Sequence, residues 1–182
     1  LKVAAHAHTT AGINLALQAG VDSIEHASWL NDTSYQLLLE SGGYIVPTLM
    51  VKDMIRNGLD RRDPATRMRL ERSLVEHPRR VAEAFAAGVK IASGSDAGVV
   101  PHGRNARELE WYVDIGLSEM EAIVTATVNA SALLGQSDHL GTLEPGKLAD
   151  VIAVSASPLE NISELLNVDF VMKAGQVYKH EN

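Results

Sequence analysis

Apolar positions along the chain fall into short runs separated by longer amphipathic stretches. Val3-Ala4-Ala5 is a short apolar run that ends at His6-Ala7-His8. Thr9 or Thr10 then caps a helix carried by Ile13, Leu15 and Leu17 and stopped by Gly20. Val21 to His26 is a second strand. Asn31 or Asp32 opens a helix through Leu37-Leu38-Leu39, and Gly42-Gly43 ends it. Tyr44-Ile45-Val46 is a third strand, closed by Pro47. Val51 to Ile55 reads as a short helix, and Arg61-Arg62-Asp63-Pro64 as a turn with proline set for a helix start. A charge-rich helical section runs on to Ala87, with Pro78 expected to begin a second segment within it. Its predicted buried stripe is Leu70, Leu74, Val81 and Phe85. Val89 to Ala92 is the fourth strand.

These units repeat. Ala19-Gly20-Val21 and Ala87-Gly88-Val89 each join a helix end to a strand through glycine and valine. Strands alternating with helices predict βα units and a parallel sheet. A helix from about Ala106 to Ile115 follows, then one capped by Ser118 with Glu121 completing a capping box. Asn129 opens a further short helix through Leu134. The texture changes after Gly135: Ala149 to Val154 reads as a strand, and Phe170–Lys173 with Gln176–Tyr178 as a hairpin about Ala174-Gly175.

The polar residues that interrupt this pattern sit at one kind of place. His6, His8, His26 and Asp96 all fall at carboxyl ends of predicted strands, the active-site face of a (β/α)₈ barrel. A lone strand-end histidine is usually structural. Two strands ending in histidine and one in aspartate form a donor set of imidazole and carboxylate, which suits Zn²⁺, Mn²⁺ or Fe²⁺. Asp96, in Ala92-Ser93-Gly94-Ser95-Asp96-Ala97-Gly98, is a carboxylate beside an apolar run and needs donors or a cation. His102, in the loop just beyond it, is a candidate substrate contact. His77, His139 and His180 lie in charged, loop or tail contexts and read as solvated. The arginines from Arg61 to Arg80 are interleaved with acids and read as the solvated face of a helical hairpin.

Composition narrows the classes. The 182 residues carry a net charge of −7, which disfavours a general nucleic-acid surface. Hydrophobic residues make up 46% and charged residues 21%, as in a globular domain. There is no cysteine, so no disulfide framework and no thiolate metal site, consistent with a cytoplasmic protein. No apolar run reaches the roughly 18 residues of a membrane span. The chain begins Leu-Lys-Val with neither methionine nor a leader and looks like the middle of something.

The ordered motifs resemble the amidohydrolase superfamily, in its imidazolonepropionase-like and Xaa-Pro dipeptidase (prolidase)-like branch. Val3 to His8, Ser23 to His26 and Gly94 to Gly98 resemble barrel strands five, six and eight. His102-Gly103-Arg104-Asn105 with Glu108-Leu109, and Ala126 to Ser131, resemble the segments that follow. Leu140 to Asp150 resembles the return into a small β-sandwich. The fold implied is α/β: strands five to eight of a TIM barrel over residues 1–135, and part of a β-sandwich over 136–182. The resemblance implies hydrolysis of an amide or peptide C–N bond, in a dipeptide or N-acyl amino acid, by metal-activated water. It makes His6 and His26 ligands of one divalent ion, zinc by expectation. It makes Asp96 the ligand of another ion and the proton shuttle.

His8 and His102 become substrate-binding residues. Relatives often carry tyrosine at the position of His8. Its imidazole could donate to a substrate carboxylate or a tetrahedral oxyanion. The family's strand-one histidine pair and its strand-four bridging residue would precede Leu1. The chain is therefore expected to be inactive alone and to need the missing barrel half, another chain or a homo-oligomer. Left alone, the Asp96 carboxylate is expected to bind metal weakly or to be held by the hydroxyls of Ser93 and Ser95. The competing expectation is a non-catalytic structural or assembly fragment.

Overall fold

A computed structural model describes residues 1–181. It contains two sheets. Strands β1 (Ala4–Ala7), β2 (Ser23–His26), β3 (Tyr44–Val46) and β4 (Lys90–Ile91) form one four-stranded parallel sheet in sequence order. Between them run α1 (Thr10–Gln18), α2 (Asp32–Ser41), α3 (Val51–Gly58) and α4 (Pro64–Ala86), with one 3₁₀ turn at Leu59–Arg61. Helices α5 (Arg107–Asp114), α6 (Glu119–Ala126) and α7 (Val128–Leu133) follow. Strands β5 (Val151–Ala153), β6 (Phe170–Lys173) and β7 (Gln176–His180) make a separate three-stranded antiparallel sheet. Among the described residues no helix is long and apolar enough to cross a membrane.

The expected caps are in place. Thr9 accepts from the Gly12 amide, Asn31 closes a capping box with Ser34, and Ser118 closes one with Glu121. Each satisfies backbone donors that the first helical turn leaves without partners. The hairpin turn is Ala174-Gly175, both residues at positive φ, which matches the twist of the strands it joins.

Three expectations about α4 change. The helix runs unbroken through Pro78. Proline forfeits one backbone bond there, but Pro78 and its neighbour His77 are buried against the core together with Val81 and Ala84. The packing holds a helix that local preference would interrupt. His77 is therefore not solvated: it is 1% exposed. The inward stripe is centred on His77, Val81 and Ala84, while Leu70, Leu74 and Phe85 are only half-buried. The arginine-rich face is solvated at Arg67, paired to Glu71, and at Arg79, paired to Glu76 and Glu83, whereas Arg80 is half-buried and donates to the Leu30 carbonyl.

The core lies between the parallel sheet and its helices. Ile13, Ile24, Leu38, Ile45 and Ile91 are fully buried there. Chain crossing near the site is close: a Cβ on Gly94 would overlap the Cγ1 of Val46, so only glycine lets the segment after β4 pass β3. Ser93 and Asn129 tie that segment to the later helices, through Ser93 N–H to Thr125 O (2.9 Å) and Asn129 Nδ2 to Ile91 O (2.8 Å). The second sheet reaches the main core through the 3₁₀ segment Ile162–Leu166, whose Ile162 is buried among the core residues.

Candidate metal and hydrolytic site

Strand register alone would send His26 the wrong way. In the parallel pairing His6 lies opposite Glu25, and Ala7 opposite His26. Side chains at paired positions of a sheet point to the same face. Ala5 and Ala7 pack on the core, so a regular strand would aim His26 into the helix layer. The backbone turns instead. His26 and Ala27 have φ of 69° and 51°, the left-handed region that ordinary side chains avoid. The turn swings the His26 ring to the face that carries His6. Its Nε2 lies 2.9 Å from His6 Nδ1.

His8 joins them. The ring centroids of His6, His8 and His26 are 4.4 to 4.8 Å apart. One ligand atom from each lies within 4.8 Å of the others. His8 Nδ1 is 2.9 Å from the hydroxyl of buried Ser28. Burial is the first cause that lowers the pKa of both His8 and His26, and the neighbouring rings add to it. Asp96 opposes the shift at both histidines, and His26 falls to about 4. Both are neutral near pH 7, the state in which imidazole ligates metal.

Two residues that sequence reading did not single out for a role support this arrangement. His26 Nδ1 is 2.7 Å from Thr48 Oγ1, and Thr48 donates its one hydroxyl proton to Pro47 O at 2.7 Å. Nδ1 must then be the donor toward Thr48, so Nε2 carries the lone pair. Thr48 thus fixes the tautomer in which Nε2 is an acceptor, here facing His6 Nδ1 as donor, the lone pair that a cation would take in place of that hydrogen bond. The loop holding Thr48 is in turn held by Glu108 of α5. Its two carboxylate oxygens accept the amides of Leu49 and Met50, each at 2.7 Å. Glu108 is fully buried. Burial raises its pKa to about 7 against the lowering effect of those two amides. The Tyr112 hydroxyl lies beside Glu108 and Ser93 without reaching hydrogen-bond geometry. Glu108 and Tyr112 are four residues apart on one helix, a spacing that marks a polar pair inside an otherwise apolar face, and Glu108 also stands in the Glu108-Leu109 motif of the resemblance. Thr48 offered no comparable signal.

Asp96 faces the same region. Its charge is felt at His8 and His26. It has φ of 55° and its carbonyl accepts from Val99 and Val100 at 3.0 and 3.2 Å. Among the described residues its carboxylate has no hydrogen-bond partner, and the hydroxyls of Ser93 and Ser95 do not hold it. His102 is exposed in the loop beyond Asp96, outside the histidine cluster. His139 and His180 are exposed, away from the cluster.

The donor chemistry fits a divalent ion. Two imidazole nitrogens, His6 Nδ1 and His26 Nε2, face one another, the second with its lone pair set by Thr48, and a carboxylate without side-chain partners among the described residues faces the same region. Backbone strain marks the same place. Among the described residues five non-glycine residues have positive φ, and four of them (His26, Ala27, Thr48 and Asp96) stand at or after the ends of parallel strands; the fifth is the hairpin residue Ala174.

Comparison with known proteins places this arrangement. The ochratoxinase of Aspergillus niger is 37% identical over 186 residues, covering 97% of this chain and 38% of that protein. Its solved structure matches with a TM-score of 0.90 over 100% of this chain and 42% of its own. A Xaa-Pro dipeptidase solved with methionine in its active site matches with a TM-score of 0.92 and 39% identity, over 98% of this chain and 45% of that one. The imidazolonepropionase of Symbiobacterium thermophilum is 30% identical over 149 residues, 79% of this chain and 30% of that protein. The chain thus spans less than half the length of these relatives. A family model for amidohydrolases matches residues 1–178, and the chain belongs to the amidohydrolase family.

Proposed function

We propose that the chain supplies the second half of a (β/α)₈ barrel over residues 1–135 and part of a β-sandwich over 136–182. Together with the missing first half it hydrolyses an amide or peptide bond of a dipeptide or N-acyl amino acid. The observation that carries this reading is the gathering of strained residues at the strand ends. A purely structural piece gives no reason for His26, Thr48 and Asp96 to hold left-handed backbone beside one another. The ochratoxinase and Xaa-Pro dipeptidase likenesses support the bond type.

In this reading His6 Nδ1 and His26 Nε2 hold a divalent ion, zinc by donor preference. When bound, the ion lowers the pKa of water and polarises the scissile carbonyl. Asp96 is a ligand on the other side of the site and the proton carrier. Its carboxylate, free of hydrogen bonds, can take a proton from the attacking water and return it to the leaving amine. His8, neutral and held through Nδ1 by Ser28, directs its Nε2 toward the substrate oxygen that gains charge. His102 contributes a contact from the loop beyond Asp96. The site resides with a small-molecule substrate in a cytoplasmic protein, completed by the absent half or by a further chain, with homo-oligomerisation as the way such barrels assemble here.

The test compares the chain alone with the same chain completed by a first barrel half, both given Zn²⁺ or Mn²⁺ and a panel of dipeptides and N-acyl amino acids. Turnover is expected only in the completed barrel, and it is abolished in Asp96→Asn. Absence of hydrolysis across the panel in the completed barrel, or full activity in Asp96→Asn, contradicts the reading.

A further inference from the structure

Lys52 sits where an ammonium is hard to keep. It lies in the first turn of α3, just after Thr48 and the loop that Glu108 holds, and it is 5% exposed. Taking a charge out of water without a partner is strongly unfavourable. Yet among the described residues Lys52 makes no ion pair. Its sequence neighbour Asp53 is taken by Arg107, at 2.8 Å, and both oxygens of Glu108 are taken by the Leu49 and Met50 amides.

Geometry ties Lys52 to the histidine side: it stands four residues after Thr48, whose hydroxyl meets His26 Nδ1 at 2.7 Å, and its amide donates to Leu49 O in the loop that Glu108 holds. Its charge adds to the lowering of the pKa at His8, His26 and His77. These are imidazoles, and none can accept an ammonium and also serve as an anionic partner. Against the effect of burial, the charge of Glu108 raises the Lys52 pKa. Burial lowers the Lys52 pKa to about 8, which still leaves it charged near pH 7. The turn after Thr48 thus holds a buried ammonium with no paired anion among the described residues.

We propose that Lys52 binds the carboxylate of the substrate and so selects acyl amino acids and dipeptides with a free carboxylate over their neutral analogues. The proposal rests on the amide-hydrolysis reading of this site. An ammonium is a stronger partner for a carboxylate than a neutral imidazole is. With Lys52 in that role, His8 is left for the oxygen of the scissile group.

The test is a binding measurement on the zinc-loaded 182-residue chain, so it needs no turnover. The probes are N-acetyl-L-methionine and N-acetyl-L-methioninamide, alike in shape and different in charge. Calorimetry is expected to give the carboxylate about tenfold tighter binding than the amide in the unmodified chain. In Lys52→Met, which keeps the apolar stem, the ratio is expected to fall within about twofold while amide binding changes by less than about twofold. Lys52→Arg is expected to retain the preference. A structural role would weaken both probes alike. A preference that survives in Lys52→Met overturns the proposal, and so does a lack of preference, or of any binding, in the unmodified chain. Failure of the hydrolase reading appears elsewhere, as a completed barrel that binds these probes with the preference but hydrolyses no member of the panel.

Discussion

The two sides of the candidate site are built to different degrees. On the histidine side every element is tied. His26 is turned by its own backbone, fixed in tautomer by Thr48, and Thr48 is carried on a loop held by two 2.7 Å bonds to Glu108. His8 is held by Ser28. On the Asp96 side the backbone is left-handed, but among the described residues the carboxylate has no side-chain partner. Side chains that must meet a cation within a few tenths of an ångström need such support. The difference teaches that, among the described residues, the chain braces the histidine side with its own hydrogen bonds and leaves the Asp96 carboxylate unbraced; in the proposed reading its partners come from the other barrel half.

The largest effect should come from the support of the histidine side. Glu108→Ala leaves two buried amides without acceptors and is expected to destabilise the chain by about 3–5 kcal/mol in urea unfolding. Glu108→Gln keeps the shape and tests the charge. The folded-state pKa of Glu108 is raised to about 7, so between pH 4.5 and 7 the folded chain holds a proton that the unfolded chain releases. Its contribution to stability is therefore fully present below pH 4.5 and falls as pH rises toward 7. The urea midpoint of the unmodified chain, less that of Glu108→Gln, should shrink over that range. A difference that stays constant with pH would mean that the carboxylate is ionised throughout.

A smaller effect is expected from Thr48→Val, which keeps the side-chain shape and removes the acceptor for His26 Nδ1. Zinc affinity should drop by about 10- to 100-fold, with little change in fold by circular dichroism, and Thr48→Ser should restore most of it. Unchanged affinity in the valine variant would show that the tautomer is set by something else. Smaller still is His8→Ala. If His8 serves substrate and not metal, zinc affinity should change by less than about threefold. A loss as large as that of His26→Ala would make the three-histidine cluster itself the metal site and dissolve the division of labour.

Much of this architecture was legible in the chain. The alternation of short apolar runs with helical stretches gave the parallel strands, because buried β-strands and amphipathic helices differ in period. Ser118 with Glu121, and Ala174-Gly175, are local chemistry that needs no tertiary information. His6, His8, His26 and Asp96 were marked by interrupting apolar runs. What was not legible depended on contacts between distant residues. The direction of His26 follows from a backbone turn that no spacing rule contains. Glu108 meets Leu49 and Met50 across 59 and 58 residues. His77 looked solvated because its neighbours in sequence are charged, and it is buried because α4 turns that one face to the core. Lys52 was passed over for the same reason, between Val51 and Asp53 in a short helix whose Arg56 and Asn57 face water.

The claim that one half of the site is organised by this chain can be measured directly by titrating zinc, with calorimetric detection at pH 7.5, into the unmodified chain, His26→Ala and Asp96→Ala. The account predicts that His26→Ala weakens zinc binding by more than about a hundredfold, while Asp96→Ala stays within about threefold of the unmodified chain. A loss in Asp96→Ala equal to that in His26→Ala, or zinc binding indifferent to His26, would contradict it.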